Sequence, residues 1–180
     1  MTLQDGTGAF AELTGGSTMV IERWLPGPAD RIWRYLTDSD LRRKWFAAGE
    51  MALVPGAPLN LVWHNDTLSD ADDVRPAGFP EEQLMQSQVI AVDPMRMLKI
   101  AWGKGDVTFA LKEKGDRVLL TVTHRGLDDQ GAQTEIAGGW HMHLEILVAT
   151  MSGTDRPSFW SGWTRLQVIY DDRLNNPDRE

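Results

Sequence analysis

The chain has 180 residues, of which 42% are hydrophobic and 24% are charged, and its formal net charge at pH 7 is −8. This length supports one well-buried core but not two ordinary domains, and the acidic balance argues against a nucleic-acid or anionic-membrane surface, because both need a basic face. The sequence has no cysteine, which excludes disulfides and thiolate chemistry and fits a reducing cytoplasm.

The first 17 residues have neither the basic nor the apolar region of a signal peptide, and we expect residues 1–17 to form a flexible polar leader. Nowhere do about 20 apolar residues run together, so no membrane span is predicted. These features predict a single cytoplasmic domain.

A strand and two short helices open the predicted domain. Residues 18–25 alternate as a strand whose apolar face also carries Arg23. The break at residues 26–28 precedes a helix with one apolar stripe, and Asp38 can cap a second short helix.

A run of strands follows. Residues 59–64 alternate and place Trp63 on the apolar face, and residues 88–102 form two strands that end at Trp102. The hairpin after them carries Phe109 on its first strand, and on its second strand carries the inward residues Leu120, Val122 and His124.

From about residue 134 to 151 the apolar period becomes helical, with Trp140, Leu144 and Leu147 on one face. The pair Gly138-Gly139 is interpreted as the flexible entry to this helix, because no phosphate-binding glycine pattern surrounds it.

Four stretches carry a family resemblance: IERWLPGPADRIWRYLTDSDLRRKW, VIAVDPMRMLKIAW, LLTVTHRGL and GGWHMHLEIL. In this order they resemble the homologues of the heat-shock-protein-90 ATPase activator, a family of the START-like superfamily. The resemblance covers about residues 18–152 and implies an α+β helix-grip fold. In that fold a curved antiparallel sheet wraps around a long carboxy-terminal helix and often leaves an apolar cavity. It implies no fixed catalytic residues.

The remaining residues, 153–180, form a carboxy-terminal extension that we expect to be helical. Phe159, Trp163, Leu166 and Tyr170 recur at helical spacing and need an apolar surface to cover. That surface is either the chain's own domain or a second subunit, so a homodimer through this extension is one expectation.

The connection at residues 65–83 is long for a structureless loop and is a candidate lid. Its acidic residues lack the glycine and the terminal glutamate of a known calcium loop. A solvated acidic loop is therefore the preferred interpretation of Asp66, Asp70, Asp72 and Asp73.

Two histidines and a glutamate suggest a metal site, but helical geometry argues against it. His141 and His143 diverge on a helix, and only His141 and Glu145 share a face. A zinc site needs three or four ligands, so we predict no metal and no other cofactor.

No catalytic constellation is predicted either, because the sequence has no cysteine and no GxSxG elbow. His124 is the polar group to watch, as an acid, a base, a ligand hydrogen-bond donor or simply a partner of a backbone group. Arg23 either meets a ligand carboxylate or reaches an acid at the end of a strand.

Three hypotheses for function remain. The first, which we favour, is a non-enzymatic binding module that encloses a small hydrophobic molecule. The second is a cyclase- or hydrolase-like enzyme that uses the same cavity through His124, or through His141 with Glu145. The third is a chaperone-activating or stress-response partner. The predicted ligand-binding residues are Trp63, Trp102, Phe109, Leu120, His124, Trp140 and Leu144.

Overall fold

The computed structural model describes residues 10–176. Within that range the chain forms seven strands and four α-helices. The strands are β1 (Glu12–Thr14), β2 (Thr18–Pro26), β3 (Pro58–Trp63), β4 (Gln83–Asp93), β5 (Met97–Trp102), β6 (Gly105–Lys114) and β7 (Arg117–Arg125). The helices are α1 (Ala29–Thr37), α2 (Ser39–Arg42), α3 (Gln130–Ser152) and α4 (Phe159–Asn175).

The strands build one curved antiparallel sheet in the order β1-β2-β7-β6-β5-β4-β3. Strands β3 to β7 follow one another as a meander, and β7 then pairs with β2 along its whole length. Strict alternation of buried and partly buried residues along β2 and β7 gives the sheet one apolar face. This architecture confirms the predicted α+β helix-grip fold.

The long helix α3 packs against the apolar face of the sheet, where the Trp140 ring lies 5.7 Å from the ring of Phe109. The Asp129 side chain caps its first turn by accepting a hydrogen bond from the Ala132 N–H at 2.8 Å. The helix ends at Gly153, whose φ of +67° is the left-handed conformation that glycine adopts without strain.

Because α3 begins at Gln130, the interpretation of Gly138-Gly139 as its entry is wrong. Both glycines lie inside the helix, and a Cβ atom at Gly138 would overlap the side chain of Gln167 on α4. The missing side chain leaves room for the Gln167 amide of α4.

The sheet also extends into the predicted leader. Strand β1 pairs with β2, and Ala11 is buried, so in its described part the segment before residue 18 is ordered sheet edge and core. The backbone N–H of Ala11 donates to the hydroxyl of Tyr170 on α4 at 2.8 Å. Residues 1–9 of the leader lie outside the described range.

The carboxy-terminal extension is helical and packs on α3 of its own chain. Phe159, Trp160, Leu166 and Tyr170 are buried, and Gly162 lies so close to Met142 of α3 that a Cβ atom would overlap the methionine side chain. Across residues 10–176, no helix is long and apolar enough to cross a membrane.

Candidate functional site

A cleft of about 330 Å³ lies between the β3–β5 part of the sheet, α3, α4 and the acidic loop of residues 65–83. Half of its sixteen lining residues are phenylalanine or tryptophan, and four carry polar side chains. The lining residues are Phe46, Trp63, Asn65, Phe79, Gln83, Leu84, Met85, Trp102, Glu135, Ile136, Gly139, Trp140, His143, Phe159, Trp160 and Trp163.

The inner wall is a set of rings in mutual contact. Phe46 stacks on Trp140, with ring centroids 4.9 Å apart, and meets Trp63 edge-on at 5.3 Å. Trp102 lies 5.5 Å from Trp63 and 5.7 Å from Trp140. Such offset and edge-on pairs are the favoured geometries of aromatic rings, and they leave flat faces and edges toward the open space.

Arg42 fixes the turn that carries Phe46. Its guanidinium group is buried and donates hydrogen bonds to four backbone carbonyl groups, those of Leu36, Thr37, Ala47 and Gly49. Burial lowers the pKa of Arg42 to about 10, so the side chain stays charged near neutral pH. A charged donor that holds the backbone on both sides of Phe46 keeps this ring in place.

Helix α4 supplies the outer wall. The rings of Phe159 and His143 are tilted by 40° with centroids 4.7 Å apart. Trp160 and Trp163 both contact Phe79 of the acidic loop, at 5.2 and 5.0 Å. The cleft is therefore closed on this side by two segments that lie outside the helix-grip core.

The acidic loop is fastened to α4 through its carboxylates. Asp66 accepts a hydrogen bond from the indole N–H of Trp160 at 2.7 Å. Asp73 accepts from the Ser158 hydroxyl at 2.5 Å and from the Ser161 N–H at 2.9 Å. Burial acts to raise the pKa of Asp73, but these hydrogen bonds outweigh it and hold the pKa below its ordinary value. Two of the four acids thus serve as anchors rather than as solvated charges.

His143 is buried in the cleft wall, and its Nδ1 lies 2.8 Å from the carbonyl oxygen of Trp45. Because a carbonyl oxygen only accepts, Nδ1 carries the hydrogen and Nε2 is left as an acceptor. Burial lowers the pKa of His143 to about 4, so the ring is neutral near pH 7.

The seven predicted ligand-binding residues fall into two groups. Three of them, Trp63, Trp102 and Trp140, line the cleft. The others are buried and are not among the lining residues: Phe109, Leu120, His124 and Leu144.

His124 lies behind the tryptophans rather than in the open space. Its Nδ1 accepts a hydrogen bond from the indole N–H of Trp140 at 3.0 Å, and its ring contacts Trp102 at 5.0 Å. Burial lowers its pKa to about 4. In this position the neutral imidazole satisfies the indole N–H and orients the Trp140 ring.

His141 and Glu145 face away from the cleft, toward β2 and α4. Glu145 pairs with Arg23 at 2.9 Å, and Nδ1 of His141 lies 2.9 Å from the Tyr170 hydroxyl. Nε2 of His141 is 3.9 Å from the Glu145 carboxylate. Burial lowers the pKa of His141 to about 3 and raises that of Tyr170 to about 12. Arg23 therefore pairs with an acid of helix α3, which is neither of its two expected partners, a ligand carboxylate or a strand-end acid.

Residues 10–176 contain no group of three or more histidine, aspartate or glutamate side chains placed to hold a metal ion. The two histidines of the sequence motif point to different partners, Tyr170 and Trp45.

The comparisons with known proteins agree with this fold. Residues 26–152 match the family model described as activator of Hsp90 ATPase homolog 1-like protein. No curated protein matches the sequence. A Bordetella parapertussis protein solved by solution NMR is 31% identical, over 93% of this chain and 94% of that one, with a TM-score of 0.75.

Two further solved structures are more distant in sequence. A conserved Enterococcus faecalis protein of unknown function is 20% identical over 94% of this chain and 91% of its own, with a TM-score of 0.67. CalU16 from Micromonospora echinospora is 19% identical over 93% and 96%, with a TM-score of 0.63. At these identities the likeness shows a shared fold alone. The family match covers most of the chain, and the chain therefore belongs to the activator of Hsp90 ATPase homologue 1-like family of the START-like superfamily.

Proposed function

We propose that this protein binds one small, flat, largely apolar molecule in the cleft between the sheet, α3 and α4. The observation that carries the proposal is an aromatic wall around unfilled space. Five of the eight tryptophans line a cleft of about 330 Å³, a volume within the range of small-molecule sites.

The cleft has the chemistry of a site for a flat molecule. Trp102 is only partly buried although it is one of the largest apolar side chains of the wall, and its ring contacts other rings rather than solvent-facing polar groups. Aromatic surface beside an open space lacks dispersion contacts, which a flat ligand would supply.

An enzymatic role would need acid or base groups directed into the cleft. The candidates for that role were His124, which receives the Trp140 N–H, and His141 with Glu145, which contact Tyr170 and Arg23. These three side chains are therefore engaged outside the cleft, and an enzymatic role would depend instead on Glu135 or His143, the ionisable residues that line it.

The test uses N-phenyl-1-naphthylamine, a neutral apolar probe, and two variants of α3. A Cβ atom at Gly139 meets nothing within 4 Å and Gly139 lines the cleft, so Gly139→Leu places bulk in the open space. Gly131→Leu, in the exposed first turn of the same helix, is the matched control.

The probe should quench the tryptophan emission of the wild type and of Gly131→Leu, with saturation at one probe per chain. The probe should bind Gly139→Leu about tenfold more weakly or worse, because the leucine side chain overpacks the cleft. Equal binding by Gly139→Leu, or quenching that never saturates, would remove the support for a site in this cleft.

A further inference from the structure

The wall of the cleft contains a buried side-chain oxygen that has no hydrogen-bond partner among residues 10–176. Asn65 is 7% exposed and lies where β3 passes into the acidic loop. Its side-chain oxygen Oδ1 is buried and makes no hydrogen bond. Buried polar groups are paired in the great majority of cases, so an unpaired amide in an aromatic cleft calls for an explanation.

The Asn65 backbone is held firmly, so the unpaired amide does not result from a loose segment. Its carbonyl oxygen accepts a hydrogen bond from the Ser69 hydroxyl at 3.0 Å. The Ser69 oxygen in turn accepts from the Trp160 N–H at 3.2 Å. The junction between β3 and the loop is therefore anchored to α4, while its side-chain amide stays free in the wall.

His143 adds a second acceptor to the same wall. Among the residues that line the cleft, Asn65 and His143 are the buried polar ones. Since Nδ1 of His143 is committed to the Trp45 carbonyl, Nε2 presents a lone pair and has no hydrogen-bond partner among residues 10–176. Both groups would gain from a donor, and neither needs a charge.

We propose that the ligand carries a hydroxyl or N–H donor on its flat apolar body, and that Asn65 recognises this donor through Oδ1, with His143 as a second acceptor. This proposal rests on the proposed binding function and names the ligand class. An apolar molecule without a donor would leave the Asn65 amide buried and unpaired. Binding sites discriminate most strongly against ligands that leave their buried polar groups unpaired.

The experiment compares 2-naphthol, which has a hydroxyl donor, with 2-methoxynaphthalene, which has the same rings and no donor. Equilibrium dialysis with absorbance detection gives both affinities. The methyl ether is the more apolar molecule, so burial alone favours it. We expect the wild type instead to bind 2-naphthol about tenfold more tightly, or better.

Two variants assign this preference to one residue. Asn65→Leu should remove the preference, because its affinity for 2-naphthol should be about tenfold weaker than that of the wild type. It should bind 2-methoxynaphthalene at least as well as the wild type does, which also shows that the cleft is folded. Asn65→Ala repeats the test with a smaller side chain. Asn60→Leu makes the same substitution at an exposed position of β3 and should change neither affinity.

The outcomes separate this inference from the function on which it rests. Binding of both naphthalenes with equal affinity by the wild type, or a preference that persists in Asn65→Leu and Asn65→Ala, would overturn the role of Asn65 and leave the binding function standing. Binding of neither compound would overturn both.

Discussion

Arg23 is a charged residue on the apolar face of β2, and it is tolerated there because α3 supplies its counter-ion. Its side chain is 8% exposed, and the Glu145 carboxylate that it meets at 2.9 Å is 40% exposed. The guanidinium group also donates to the Glu22 carbonyl at 2.7 Å. This pair links the sheet to the long helix on the side opposite the cleft.

Substitution Glu145→Gln should lower the free energy of unfolding by about 1–3 kcal/mol, because it leaves a buried guanidinium group without its carboxylate. The lower part of that range is expected, since Glu145 is partly exposed and solvent screens the pair. Urea denaturation of the wild type and the variant measures the difference.

The exposed pair Arg43–Asp40, with a separation of 3.4 Å, provides the control. Asp40→Asn should change stability by less than about 0.5 kcal/mol. If both substitutions cost the same small amount, the Arg23–Glu145 pair does not hold the helix to the sheet.

At the residue scale, periodicity within an element predicts three rings of the inner wall but not the fourth, Phe46, which follows α2. Trp63 alternates with Val62 and His64, Trp102 ends a strand and Trp140 belongs to a helical stripe, and all three line the cleft. Alternation gives the face of a residue but not whether it borders the cleft, and Phe109 and Leu120 are buried without lining it.

At the element scale, α4 and the acidic loop form one docked unit over the cleft. Ser158 stands at its centre, since its hydroxyl donates to Asp73 and accepts from the Asp70 N–H at 2.8 Å. Arg156 adds a hydrogen bond to the Leu68 carbonyl at 2.5 Å. Hydrogen bonds therefore hold the acidic loop against α4.

The substitution Asp73→Ala should weaken the attachment of the acidic loop to α4. The Ser161 N–H loses a charged acceptor, and we expect about tenfold faster amide exchange at the amino end of α4. Hydrogen–deuterium exchange of peptides that cover residues 156–163 measures the effect.

The matched control is Asp72→Ala, one position earlier and exposed, which should leave exchange at the start of α4 unchanged. Acidification should act in the same direction as Asp73→Ala. Because the pKa of Asp73 lies below its ordinary value, its contribution is present above about pH 3.8 and is lost as the pH falls through the folded-state pKa. Equal exchange in all three proteins would mean that Asp73 is not an anchor.

The sequence pattern predicts the helix α4 but not the surface on which it packs. The spacing of Phe159, Trp163, Leu166 and Tyr170 predicts one apolar helix face, and that face packs on α3 of the same chain. Periodicity describes one element at a time, whereas the contact of α4 with the loop depends on pairs such as Asp66 and Trp160, which are 94 positions apart. For that reason Phe79, Asn65 and Trp160 were absent from the predicted site.

Across the whole molecule, three of the four histidines are buried and neutral. Burial lowers the pKa of His124 and His143 to about 4 and that of His141 to about 3. Each is held by a neighbouring group of another element: Trp140, the Trp45 carbonyl or Tyr170. Below about pH 6.5 the folded chain therefore binds fewer protons at these histidines than the unfolded chain does.

This difference predicts a loss of stability in mild acid. A folded-state pKa below the unfolded value gives stability that is present above about pH 6.5 and is lost as the pH falls towards 4 and 3. Unfolding near pH 5 should take up about three protons from these residues. Urea midpoints measured from pH 7.5 to 5 should fall steadily, before most carboxylates titrate.

His64 is the control for this effect because it is 44% exposed. His64→Gln should keep the wild-type dependence on pH, and His143→Gln should make it shallower. A flat midpoint between pH 7 and 5 would contradict the assignment of three neutral buried histidines.

The central claim, that a flat apolar molecule enters the aromatic cleft, is tested most directly by the indole N–H resonances of the tryptophans in a ¹⁵N–¹H spectrum. Trp63, Trp102, Trp140, Trp160 and Trp163 line the cleft, whereas Trp24 and Trp33 do not. Titration with N-phenyl-1-naphthylamine should shift the five cleft resonances along one saturation curve and leave those of Trp24 and Trp33 in place. Shifts of Trp24 or Trp33 with silent cleft resonances would contradict the claim.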